Sequence, residues 1–125
     1  MGYSMQQMDQ SFFIKDEHRA NVIKAIIAIP PNKSGYAWVD DTFRKNTDLY
    51  TLFNKWRWDI SIGNGSIHEI YFNGEKSGDD LVLFEAIAPY VHEGSFIQMV
   101  GENGAIWRWS FKNKECTEIY PQITW

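Results

Sequence analysis

Cysteine is almost absent from this chain: Cys116 is the only one in 125 residues. That excludes an internal disulfide and a cysteine-built zinc site, and it points to a reducing compartment, the cytoplasm. Basic residues are also short, with 12 Lys and Arg against 16 Asp and Glu and a formal net charge of −4. The cationic footprint that neutralises duplex phosphates is therefore missing, while the acidity is too mild for a DNA mimic. Long apolar runs are lacking as well. The longest, Ala25 to Pro31, falls far below the ~20 residues that span a bilayer. Met1 to Gln10 has neither the basic residues nor the apolar block of a signal peptide, so no leader or membrane segment is expected.

Chemistry-bearing motifs are equally scarce. His18, His68 and His92 fall in no HExxH or HxH spacing, so no metal site is assigned. Gly101-Glu-Asn-Gly104 and Gly63-Asn-Gly65 are turn sequences without the Lys-Ser/Thr that opens a phosphate-binding helix. Cys116 lies beside Glu115 and Glu118, which raise a thiol pKa instead of activating it. Asp79-Asp80 opens a helix and reads as cap and dipole complement, not as a metal-binding acidic pair. No catalytic residue and no cofactor follow from these patterns.

What the chain does have is aromatic rings, 16% of its residues, and a tripeptide, Trp-Arg-Trp, that occurs at 56–58 and again at 107–109. In a strand, residues at i and i+2 share a face and the residue between them takes the other. Trp107, Trp109 and Phe111 should therefore line one face of a strand, Arg108 the opposite one. A row of large rings beside helices reads first as core. A stacking platform for single-stranded nucleic acid has the same pattern but needs cations around it, and Glu102, Glu115 and Glu118 stand there.

The periodicity gives one domain, residues 1–125, of α+β class: an antiparallel sheet of about five to six strands packed by three helices. A strand is expected at Gln10 to Ile14. A helix should follow from Asp16 to about Ala28, with Val22, Ile23, Ile26 and Ile27 inward, and Pro30-Pro31 ends it. Residues 32–46 read as loop. Thr47 or Asn46 should cap a second helix whose Leu49, Leu52, Phe53 and Trp56 form one stripe. From Trp58 the period drops to two, and Gly63-Asn64-Gly65 turns a hairpin into Ile67 to Phe72. A third helix is expected from Asp80 to about Val91, shortened by Pro89. Ser95 to Val100, Ala105 to Phe111 and Cys116 to Tyr120 should close the chain as a meander.

From Trp56 to Phe111, a little under half of the chain, the segments WRWDI and FNGEKSGDDLVLFEAIAPYVHEGSFIQMVGENGAIWRWSF resemble a family of small uncharacterised proteins of bacteria, bacteriophages and mobile elements. The resemblance brings no catalytic residues with it. It implies a setting in which small acidic proteins block host or rival machinery.

Together these features lead to a non-enzymatic module that binds another protein, plausible as a phage or mobile-element factor that inhibits or modulates a bacterial system. The expected partner-binding residues are Tyr36 and Trp38, which stand outside any buried stripe, with Arg57 and Arg108. For Arg108 the competing expectation is a cross-strand ion pair with a local glutamate such as Glu118. One alternative function is single-stranded nucleic-acid binding through Trp107 and Trp109. Another is a small-molecule or enzyme cleft near Glu69, Tyr90 and His92. A homodimer stays open.

Overall fold

The computed structural model describes residues 3–29, 48–76 and 78–121. They form an α+β structure of six strands and three helices. In chain order these are β1 (Met5–Ser11), α1 (Arg19–Ile27), α2 (Leu49–Lys55), β2 (Trp58–Gly63), β3 (Ser66–Phe72), α3 (Asp80–Ile87), β4 (Phe96–Gly101), β5 (Ile106–Lys112) and β6 (Glu115–Ile119). All strand pairs are antiparallel. β1, β4, β5 and β6 make a four-stranded sheet in the order β1-β4-β5-β6, and β2 pairs with β3 alone.

The helices follow their apolar stripes. α1 continues a 3-10 turn at Asp16–His18 and buries Val22 and Ile26. α2 buries Leu49, Leu52 and Phe53, and its last turn delivers Trp56 fully buried. Its cap is Asp48, whose carboxylate accepts from the backbone N–H of Tyr50 at 3.3 Å and from the Thr51 hydroxyl at 3.0 Å. The expected caps Thr47 and Asn46 lie outside the described residues. α3 ends at Ile87, and Pro89 sits in a 3-10 turn at Ala88–Tyr90, as a proline without an N–H requires. None of the described helices is long and apolar enough to cross a membrane.

The first strand departs from expectation. Gln10 to Ile14 is the more apolar and aromatic stretch, yet β1 is the polar Met5–Ser11. Phe12 instead turns inward, 2% exposed, with its ring 5.7 Å from that of Phe111. Ile14 meets Ile67 of β3 in an isolated bridge through two backbone hydrogen bonds of 3.0 and 2.9 Å. The polar strand holds its place through hydrogen bonds to both β4 and β3. One edge pairs with β4, and toward β3 the Gln7 side chain takes the part of a peptide group. Its Nε2 donates to the Ile70 carbonyl at 2.8 Å, and its Oε1 accepts from the Phe72 N–H at 2.7 Å. Gln10 Oε1 accepts from the Ile70 N–H at 3.4 Å. Side-chain amides thus continue the hydrogen bonding from the larger sheet into the hairpin, giving the β3 backbone partners at Ile70 and Phe72.

The core lies between the sheets and the helices. Trp58 is its hub: its ring stands 5.1 Å from Phe84 of α3, 6.0 Å from Trp109 of β5 and 5.0 Å from Phe72 of β3. Its indole N–H donates to the Asp80 carboxylate at 2.9 Å, and the same carboxylate accepts from the Gly78 N–H at 3.1 Å. Asp80 is 1% exposed. The acidic pair at the start of α3 therefore divides differently from the capping role read in the sequence. Asp79 stands at the N-cap position without a side-chain capping bond, and Asp80 is a buried acceptor for the hairpin's tryptophan.

Candidate functional site

Strand alternation gives the four-stranded sheet two unlike faces. On the inner one, Ile97, Met99, Trp107, Trp109, Phe111 and Cys116 are buried against α3 and Trp58. Trp107 is 7% and Trp109 3% exposed, so the ladder is core, and its rings are not presented for stacking with bases. On the outer face every side chain of β4, β5 and β6 is half-buried or exposed. Among the described residues no helix covers this face.

Arg108 stands at its centre. The registers align Asp9, Gln98, Arg108 and Ile119 in one row across four strands, with Gln6, Val100 and Ile106 in the next. The guanidinium carbon lies 4.2 Å from the centroid of the Phe96 ring, a cation–π contact that fixes the plane of the group. Its Nε donates to Gln98 Oε1 at 2.6 Å, and Gln98 Nε2 is turned to the sulfur of Met8 at 3.6 Å.

The expected glutamate partner is not there. Glu118 lies opposite Trp109, not Arg108. Its Oε1 accepts from the Trp109 indole N–H at 2.9 Å and its Oε2 from the Tyr120 hydroxyl at 2.6 Å. Parity decides this, since a strand neighbour one residue out of register points to the other face. The Glu118 carboxylate also holds the Tyr120 phenol above its ordinary pKa, with burial a lesser cause. Asp9, in the Arg108 row, accepts from the Gln10 N–H. Among the described residues no carboxylate pairs with Arg108, and its two terminal nitrogens carry no hydrogen bond.

Apolar side chains flank this cation. A hollow of about 370 Å³ beside Arg108 is walled by Gln98, Ile106, Ile119, Tyr120 and Pro121. Ile119 and Tyr120 are 44% and 59% exposed. At the other end of the row, the β-bulge in β1 turns Met8 out, 49% exposed, beside a second hollow that includes Tyr71. Four of the five large exposed hydrophobics among the described residues, Met8, Tyr71, Ile119 and Tyr120, thus border hollows at the two ends of one stripe. Sequence reading places Arg108 on the outer face but does not anticipate the exposure of Met8, Ile119 and Tyr120 around it. Period-two alternation in Cys116 to Tyr120 could have flagged Ile119, whereas the bulge that exposes Met8 has no local sequence signal.

The other expected site residues do not join this face. Tyr36 and Trp38 lie outside the described residues. Arg57 sits at the α2–β2 junction with φ +68°, its guanidinium donating to the Lys76 carbonyl and lying 5.9 Å from the Phe72 ring. Tyr90 and His92 do meet, in a hollow of about 130 Å³ with Lys15 and His18, but Glu69 is not part of its wall. Glu69 accepts from the Tyr71 hydroxyl instead. Phe13 lies between His68 and His92, with ring centroids at 5.2 and 5.8 Å. Even so, no group of three or more His, Cys, Asp or Glu among the described residues is placed to hold a metal ion. Burial, and after it Glu85 and Glu118, pushes the Cys116 thiol up to about 12, the opposite of nucleophilic activation. No family model matches the chain, and neither the curated proteins nor the solved structures contain a match to it.

Proposed function

We propose that this chain is a non-enzymatic module that binds another protein through the open face of its four-stranded sheet. The observation that carries this reading is the stripe of exposed Met8, Ile119 and Tyr120 around a stacked Arg108 that pairs with no carboxylate among the described residues. Exposed apolar side chains gathered around an arginine are the composition of a binding hot spot. The sequence resemblance adds a setting, a phage or mobile-element factor that modulates a bacterial system from the cytoplasm. The partner is then a component of that system.

The test is capture from the native cell with the full chain as bait, beside Ile119→Glu and Met8→Glu. Both side chains are exposed, so these variants should fold with unchanged thermal transitions. A partner that is retained by the native chain and lost with either variant is the expected result. Equal capture by all three would move the interface off this face. Light scattering decides whether a second copy of the chain is itself the occupant: a dimer dissolved by Ile119→Glu would replace the hetero-partner reading.

A further inference from the structure

From the geometry at Arg108 we propose the chemistry of the partner segment: an Asp or Glu side-chain carboxylate next to a large apolar side chain. This rests on the open sheet face being the docking surface. The carboxylate is received end-on by the two terminal nitrogens of Arg108, and the apolar neighbour enters the hollow walled by Ile106, Ile119, Tyr120 and Pro121.

Three features select that ligand. The guanidinium is already oriented, stacked on Phe96 at 4.2 Å and tied through Nε to Gln98 at 2.6 Å, so little side-chain freedom is lost on binding. Its unused donors form the parallel pair that matches the two oxygens of a carboxylate. Two neighbouring acids are placed elsewhere: Glu118 accepts from Trp109 and Tyr120, and Asp9 lies two strands away, accepting from the Gln10 N–H. The site therefore has one positive charge to satisfy from outside.

A phosphate fits less well. A dianion draws on more than one cation, and the row holds a single arginine with Asp9 two strands away. The apolar wall beside Arg108 also asks for an aliphatic or aromatic neighbour, which separates this site from a purely electrostatic one. Hydrogen-bonded charge gives the orientation, and burial of the neighbour gives the area.

The experiment is an NMR titration of the full chain with the peptide acetyl-Gly-Leu-Glu-Phe-Gly-amide, its Gln analogue and its phosphoserine analogue. The readouts are the Arg108 side-chain N–H and the methyl groups of Ile106 and Ile119. The Glu peptide should move all of these saturably and bind about ten-fold tighter than the Gln peptide, a charged hydrogen-bonded pair against a neutral one. Arg108→Gln should abolish that preference without changing the thermal transition, and Arg108→Lys should retain part of it.

Equal binding of Glu and Gln peptides, or an unchanged preference in Arg108→Gln, overturns the proposal. So does tighter binding of the phosphoserine peptide, which would assign the site to phosphates. If capture from the native cell still depends on Ile119 while the peptides are not distinguished, the carboxylate chemistry falls and the docking face stands. Discrimination between peptides without any Ile119-dependent capture gives the reverse.

Discussion

The tripeptide Trp-Arg-Trp builds two unlike pieces of this molecule. At 56–58 it bridges the end of α2 and the start of β2, and both tryptophans are fully buried. To turn between them the chain takes Arg57 through φ +68°, and its backbone closes the junction with bonds to Asn54 and from Asn73. The guanidinium folds back on Lys76 and Phe72. At 107–109 the same letters lie within a regular strand. Both rings still go inward, and Arg108 lies on the outer face, bonded to Gln98 and stacked on Phe96. Two ring pairs make core in either setting, because large apolar area is buried wherever the chain allows it. The arginine between them folds back on the hairpin in one copy and stands on the outer side of a strand in the other.

The largest effect that would sharpen this contrast is expected at Trp58. Trp58→Ala should destabilise by about 3–5 kcal/mol, since it empties the hub of the core and strips the buried Asp80 carboxylate of a donor. Trp107→Ala should cost less: its indole N–H has no acceptor among the described residues. Denaturant unfolding of the two variants checks the order, and equal losses would undo the distinction between hub and ladder end. Next comes the seam between the sheets. Gln7→Met keeps the side chain's length but orphans the Phe72 N–H and the Ile70 carbonyl, a loss of about 1–3 kcal/mol. It should also speed hydrogen exchange at Phe72, and unchanged exchange there would refute the role given to the glutamine amide.

The arginines themselves provide the direct comparison. Arg57→Ala should destabilise by about 1 kcal/mol, while Arg57→Gly should recover part of that because glycine accepts a positive φ without a Cβ penalty. Arg108→Ala should change stability by no more than about 0.5 kcal/mol, as exposed substitutions do, and act on binding alone. A stability loss at Arg108 as large as at Arg57 would break the contrast. The smallest effect is alkaline. Cys116 is raised in the folded state to about 12 from an ordinary value of 9.0, so above pH 9 the unfolded thiol releases its proton while the folded one keeps it. The folded state thus binds more protons, and stability falls as pH rises from about 9 to 12. Tyr71 and Tyr120, each raised chiefly by a hydrogen bond to a neighbouring glutamate, push the same way. Cys116→Ala should make the decline shallower, and an identical pH profile would remove the thiol from the account.

Much of the architecture was legible because it is local. The stripes of α1, α2 and α3, the change to period two at Trp58, and the turn residues of the hairpin and meander each fall within a few positions. The left-handed pairs Asn64-Gly65 and Asn113-Lys114 are such cases. The first strand was not legible. Gln7 and Gln10 look like surface residues until β3 is seen beside them, and Phe12-Phe13 carries strand propensity at a place where the chain leaves one sheet for the other. At the site, Arg108 could be assigned to a face by counting, but its partners could not. Whether Glu118 or Ile119 stands opposite it depends on one residue of register.

The sequence by itself determined which residues alternate, where helices begin and end, and that the rings of 107, 109 and 111 must travel together, all consequences of backbone geometry over short spans. The tertiary structure decided what those faces meet. It placed Trp58 and Phe84 over one side of β5 and no described helix over the other, turned Met8 outward at a bulge, and set Ile119 rather than an acid beside Arg108. Those outcomes come from long-range packing and strand register, in which each residue's surroundings are supplied by segments far away along the chain.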